Sequence, residues 1–301
     1  MEVVKLKPYV KTIVWGGNNL RGYGKTSSGE NIAESWELSL HKEGCSIIDS
    51  GIDKGKPLSE VLTKENCGEK CANFEFFPTL IKLIDAEREL SVQVHPSDEY
   101  ALKNENSFGK TEMWYILEAR DNAGIYLGFK RDVTKEEVES KIKDNTLVEL
   151  LNFIPVKAGD CFFVKSGTVH AIGGGITLFE VQQNSALTYR LYDWGKLGMN
   201  GKPRELHIEK SLKVMNLKKY EPIKFEKPLL GKCAYFATYE YLVNDKCFIK
   251  TNNDSFVSIT FIEGSGKVND IAYKKGDTFF IPTLSEAKIS GVGKYLLTRI
   301  E

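Results

Sequence analysis

Three observations predict a mainly β chain built as two jelly rolls with a small helical insertion. Short apolar runs recur with turn residues between them, at a spacing of roughly 8–15 residues that marks sandwiches and barrels. Helix signals are few and cluster in one place. One strand–turn–strand pattern occurs twice, and a repeated unit implies a repeated fold.

The elements follow in chain order. Strands are read at 45–48, 90–95, 113–117, 124–129, 161–164 and 176–181, with several more up to 296–300. The stretch 56–80 reads as a helix followed by a lid-like loop. Thr134-Lys135-Glu136-Glu137 has the pattern of a capping box, in which a Thr and a Glu three residues later satisfy free helix N–H groups. The run 138–142 continues that helix, and 147–151 reads as a second short one. Residues 132–153 are therefore expected to be a helical insertion between strand-rich blocks. The repeat pairs Lys157-Ala158-Gly159-Asp160-Cys161-Phe162-Phe163-Val164 with Lys274-Lys275-Gly276-Asp277-Thr278-Phe279-Phe280-Ile281. Ile116-Leu117-Glu118-Ala119 precedes the first copy and Phe261-Ile262-Glu263-Gly264 the second. The expected division is a first unit over 1–219, which carries the insertion, and a smaller second jelly roll over 220–301.

Composition narrows the function. Of 301 residues, 42% are hydrophobic and 27% charged, which excludes disorder as the main state. Lys plus Arg and Asp plus Glu number 41 each, so the excess positive charge of a nucleic-acid binder is missing. No run reaches the ~18–20 apolar residues of a membrane span, and the first residues do not read as a signal peptide. Six cysteines in a chain this long are not a disulfide framework, so a reducing cytoplasm is expected. Cys67 and Cys71 have no second cysteine pair or nearby histidine to complete a metal site. Exposed jelly-roll edges permit a monomer or a homodimer.

The four histidines stand at 41, 95, 170 and 207. Residues two apart on a strand share a face, so Gln93 and His95 present an oxygen and a nitrogen side by side, with Ser91 on the same face. Lys110 and Glu112 share a face in the same way. Gly159, Gly167 and His170 are spaced as in the second motif of the cupins, with Lys165 where that motif has proline. The first cupin motif is matched in part, by Gln93 and His95, with Glu112 later than usual. Gln93, His95, Glu112 and His170 form an oxygen and nitrogen set suited to Zn²⁺ or another divalent ion. One carboxylate among neutral ligands leaves such a site net positive, which suits a substrate oxyanion. In the second repeat the matching positions are Val257 and Ala287, so one metal per chain is expected. His41 and His207 receive no role.

Together these residues resemble the type I mannose-6-phosphate isomerases over most of the chain. The likeness runs through Trp15-Gly16-Gly17, Ala33-Glu34-Ser35-Trp36, Leu90-Ser91-Val92-Gln93-Val94-His95-Pro96 and Gly109-Lys110-Thr111-Glu112-Met113-Trp114-Tyr115. It continues through Gly167-Thr168-Val169-His170-Ala171 and from Glu180 to Gly195. The large extra helical domain of longer members has no room here, and Ile172 stands where they often carry Tyr. The resemblance implies a cupin fold and a single Zn²⁺ on Gln93, His95, Glu112 and His170. It implies interconversion of mannose 6-phosphate and fructose 6-phosphate. Arg190 falls on the family's active-site arginine, Lys82 and Lys110 on pocket lysines, Ser91 on a phosphate-side serine, and Glu34 and Glu180 on acidic pocket residues.

Aldose–ketose isomerisation moves a proton between adjacent carbons through an enediolate. The expected catalytic residues are Glu180 as acid/base, Arg190 as electrostatic stabiliser and Lys110, with Lys82 and Ser91 on the phosphate and Glu34 also binding substrate. The alternatives are an isomerase of another sugar phosphate, a metal cupin oxygenase, and a non-catalytic sugar-binding protein.

Overall fold

Alternation along the strands sorts most of the first 195 residues into two antiparallel sheets that face each other. The computed structural model describes residues 1–197 and 201–301. One sheet has six strands, in the order Cys161–Val164, Glu112–Ala119, Ile176–Gln183, Thr79–Ala86, Glu34–Leu38 and Tyr9–Lys11. The facing sheet has five, in the order Leu151–Pro155, Gly124–Phe129, His170–Ile172, Val92–Val94 and Tyr189–Tyr192.

The six-stranded sheet is covered on both faces, which is why every residue of Thr79–Ala86 and Ile176–Gln183 is buried. Its inner face presents Glu112, Trp114, Glu180 and Lys82, and its outer face Met113, Tyr115, Phe179, Val181 and Leu83. The outer set belongs to one apolar cluster with Phe236, Phe256, Phe280 and Leu296 of the C-terminal segment. That cluster packs the two parts of the chain back to back.

The third sheet has eight strands. Leu229–Cys233, Phe236–Lys250, Glu286–Arg299, Val257–Val268 and Thr278–Ile281 run in that order, and Ile271–Lys274 pairs with Val257–Val268. Its far edge comes from the other end of the chain: Val4–Lys7 pairs with Thr278–Ile281, and Ile47–Ile48 pairs with Val4–Lys7.

The sequence repeat is a repeat of one turn. Gly159 and Gly276 have φ of 88° and 92°, the left-handed region where glycine alone is unstrained. Asp160 Oδ2 accepts the Lys157 N–H at 2.9 Å, and Asp277 Oδ2 accepts the Lys274 N–H at 2.8 Å. The Ile116 N–H donates to Asp160 O at 2.9 Å, and the Phe261 N–H to Asp277 O at 2.9 Å. Register then extends the match: Glu112 pairs with Val164, and Val257 with Ile281. The counterparts of Glu112 and His170 are thus Val257 and Ala287, both inside an apolar cluster.

Helices are short. Lys135–Lys143 starts where Thr134 Oγ1 accepts the Glu137 N–H at 3.2 Å. The second half of the expected capping box does not form, because Glu137 makes a charge-assisted pair with Arg131 instead. The expected helix at 147–151 is a 3₁₀ turn, Leu147–Leu150. From Leu151 the chain is a strand paired with Gly124–Phe129, so the insertion ends sooner than 153. The 56–80 stretch holds three short turns, Leu58–Val61, Lys64–Cys67 and Cys71–Asn73, rather than one helix and a lid. Two helices went unread in the sequence, Asp98–Glu105 and Ile208–Val214. Among the described residues no helix is long and apolar enough to cross a membrane.

Candidate active site and metal centre

Two rows of side chains meet between the facing sheets. On the five-stranded sheet His170 pairs with Gln93, and Gln93 with Arg190, and directly opposite residues share a face. On the six-stranded sheet Trp114 pairs with Glu180, Glu180 with Lys82, and Lys82 with Trp36. Glu112 and Glu34 lie two residues from Trp114 and Trp36, on the same inner face. His95 follows Val92–Val94 directly.

His95, Glu112 and His170 converge with ligand atoms all within 4.8 Å of one another, and each is 1% exposed or less. Glu112 Oε2 lies 3.6 Å from His95 Nε2, and Oε1 lies 3.3 Å from His170 Nε2. Each imidazole is oriented from behind. His95 Nδ1 lies 2.8 Å from Leu187 O, and His170 Nδ1 lies 2.8 Å from Thr168 O. A carbonyl partner fixes the proton on Nδ1 and leaves Nε2 as a lone pair aimed inward, the usual arrangement behind a metal ligand. Burial, with Lys110 and His170 adding, holds the His95 pKa well below the ordinary imidazole range. Burial lowers that of His170 to about 4. Both rings are therefore neutral and ligand-ready.

Neither Glu112 oxygen accepts an aligned hydrogen bond, although both are buried. A buried carboxylate without well-aligned hydrogen bonds is costly, and a bound cation would satisfy it. Lys110 Nζ supplies positive charge at this place, 2.5 Å from Glu112 Oε2 and 3.2 Å from His95 Nε2. Burial, with the nearby Glu180 charge adding, still raises the Glu112 pKa. The donor set, two neutral imidazoles and a carboxylate, fits Zn²⁺. Gln93 stands beside this set on the facing strand, with its amide nitrogen 3.2 Å from His170 Nε2. Ligation from Gln93 would use the amide oxygen instead.

Beside this cluster lies a charged relay. Glu180 Oε1 is 3.3 Å from Lys82 Nζ and 3.9 Å from Lys110 Nζ, and Oε2 accepts the Trp114 indole N–H at 3.0 Å. Burial opposes ionisation of Glu180, but Lys110 and Lys82 outweigh it and pull its pKa to about 2. Burial also opposes the Lys110 ammonium, yet Glu112 and Glu180 hold its pKa above the ordinary value. The pocket thus carries an ionised carboxylate beside a protonated amine. Lys82 is 3.9 Å from Glu34, whose Oε2 accepts the Trp36 indole N–H at 2.6 Å.

The other expected site residues stand further out. Ser91 is buried just before the Gln93 strand, and its hydroxyl has no protein hydrogen bond among the described residues. Arg190 shares the Gln93 face but leans outward: Nη1 donates to Glu205 O at 2.8 Å, while Nε is buried without a partner. His207, which received no role from the sequence, contacts Arg190. His207 Nδ1 accepts the Arg190 backbone N–H at 3.1 Å, a contact between residues 17 apart that no spacing motif signals. Cys67 and Cys71 sit in the apolar cluster, away from any such set.

A family model described as phosphomannose isomerase type I, catalytic domain, matches residues 3–121. Mannose-6-phosphate isomerase ManA of Bacillus subtilis (strain 168) is 37% identical, over 99% of this chain and 99% of that protein. The crystal structure of the Bacillus subtilis mannose 6-phosphate isomerase superposes with a TM-score of 0.89 at 34% identity, covering 100% of both chains. A zinc-bound mannose 6-phosphate isomerase has the same fold, with a TM-score of 0.79 at 17% identity over 100% of both chains.

Proposed function

The chain belongs to the type I phosphomannose isomerase family, and from that premise we propose that it interconverts mannose 6-phosphate and fructose 6-phosphate. One Zn²⁺ per chain would be held by His95, Glu112, His170 and Gln93. The observation that carries this reading is the convergence of two oriented, neutral imidazoles on a buried carboxylate with no aligned hydrogen bond. When bound, Zn²⁺ supplies Lewis acidity that polarises the substrate's oxygens.

The chain's own residues supply the rest. Glu180 is ionised and takes the proton from the carbon beside the carbonyl, then returns it to the neighbouring carbon. Lys110 stays protonated and faces the charge that develops on the oxygens. Glu180 therefore serves as base and then as acid for the carbon-to-carbon transfer, while Lys110 acts as a fixed positive charge. Arg190 stabilises the enediolate from the facing sheet. Lys82 and Ser91 hold the phosphate, Lys82 as a point charge, and Glu34 contacts a sugar hydroxyl. The catalytic unit spans 1–219, and 220–301 forms a second, metal-free jelly roll, since Val257 and Ala287 offer no ligand atoms. All six cysteines are unpaired, which supports a cytoplasmic enzyme, as a monomer or homodimer.

The test measures metal per chain and isomerase turnover on one sample, before and after chelation. One zinc per chain, with activity lost on chelation and restored by zinc, is the expected result. His170→Ala should lose both metal and activity. Turnover that survives complete zinc removal would overturn the metal's part in this reading.

A further inference from the structure

The outward edge of the Arg190 strand is finished by a single residue. Tyr189–Tyr192 is the last strand of its sheet, so one side of its backbone has no strand partner. At Arg190 both outward groups are satisfied by His207. The His207 N–H donates to Arg190 O at 2.7 Å, and the Arg190 N–H donates to His207 Nδ1 at 3.1 Å. The same short segment holds the guanidinium, through Glu205 O at 2.8 Å. Pairing with the Gln93 strand becomes irregular between Arg190 and Tyr192, so the inner ladder constrains Arg190 less than a regular strand would.

His207 stands at the N-cap position of Ile208–Val214, yet its side chain makes no cap hydrogen bond. The imidazole is turned to the strand instead, against Tyr189 at 6.1 Å between ring centroids. Its carbonyl accepts the Ser211 hydroxyl at 2.8 Å, which ties the residue to the first turn of that helix. Nδ1 serves Arg190 only as an acceptor.

We propose that His207 is a positioning residue for catalysis: through its Nδ1 acceptor it fixes the backbone that carries Arg190. This rests on the role proposed above for Arg190. A misplaced charge loses transition-state stabilisation more than substrate binding, so the effect should fall on kcat rather than KM.

The experiment compares kcat, KM and zinc content for His207→Ala, His207→Asn, Arg190→Ala and the double variant His207→Ala/Arg190→Ala. His207→Ala should lower kcat about 10- to 100-fold, with KM within about threefold and zinc unchanged. His207→Asn carries an acceptor oxygen near the Nδ1 position and should recover most of the loss. The double variant should be no slower than Arg190→Ala, because residues acting through one group are not additive. Should the alanine variant fail to fold, His207→Gln replaces it, since its longer side chain carries the acceptor past the Arg190 N–H. Wild-type kcat in His207→Ala, no recovery in His207→Asn, or additive losses would each overturn the proposal. Full activity in Arg190→Ala would instead remove the role of Arg190 itself.

Discussion

Glu180 receives two cations and an indole N–H on one buried carboxylate. That environment makes it the group whose charge the pocket is arranged around, and it is not among the metal-ligating residues. Glu180→Gln keeps the shape and removes the proposed base. It should retain one zinc per chain and lower kcat by about 10²- to 10⁴-fold, as read from metal analysis and the isomerase assay side by side. Unchanged kcat would move the proton transfer to another group. At this scale the sequence was informative wherever proximity follows from residues two apart in extended chain. Gln93 with His95 and Lys110 with Glu112 could be read because residues two apart share a face. Lys82 and Glu180 are 98 positions apart and meet only through the register of two strands. Their ion pair is therefore a property of the fold. His207 was illegible for the same reason, since its partner is the backbone of an edge strand, not a side chain with a pattern.

Elements were legible where their cause is local. The Lys-x-Gly-Asp turn needs only a left-handed glycine and an aspartate that accepts the N–H three residues back, and both copies have them. The helix Asp98–Glu105 was unreadable because it buries only Ala101 fully and so lacks an apolar period. Strand lengths in the C-terminal sheet exceeded expectation for a different reason: Phe236–Lys250 and Glu286–Arg299 stabilise each other along their whole length. Glu301 clips this sheet at one end. It accepts from Lys232 at 2.8 Å and Tyr239 at 2.6 Å, and pairs with Arg299, so it joins three adjacent strands. Burial opposes its ionisation, but Lys232, Tyr239 and Arg299 pull its pKa from 4.5 to about 2. A folded pKa below the unfolded one stabilises fully above 4.5, and that contribution is lost as pH falls toward 2. Glu301→Gln should therefore be less stable than wild type at pH 7, with the gap narrowing below pH 4.5. Urea titrations across that range would check it, and a gap independent of pH would show that the clip acts by shape alone.

The whole molecule is held as one body by links that cross between its ends. Val4–Lys7 completes the C-terminal sheet, and Glu37 on the pocket-bearing sheet reaches into the second repeat. Lys25 Nζ lies 2.8 Å from the Glu37 carboxylate and donates to Gly276 O at 2.6 Å. Ser35 Oγ donates to Glu37 at 2.6 Å, and Thr278 Oγ1 donates to it at 3.1 Å. Gly276 and Thr278 flank the aspartate of the second turn, so this network ties that turn to the sheet bearing Glu34 and Lys82. Both side chains of the ion pair are at most 5% exposed. Removing one partner of such a pair leaves a buried charge and costs about 3–5 kcal/mol, whereas removing both charges together costs far less. Lys25→Met should therefore lower stability by about that amount, and Lys25→Met/Glu37→Gln should recover a large part of it. Because the network bridges the two repeats, the loss should appear as one transition moved to lower temperature in calorimetry, with pocket and C-terminal sheet melting together. Two separated transitions in Lys25→Met would mean that the apolar cluster between the sheets does not couple them unaided. A single transition at the wild-type temperature would mean that the buried pair contributes nothing to that coupling.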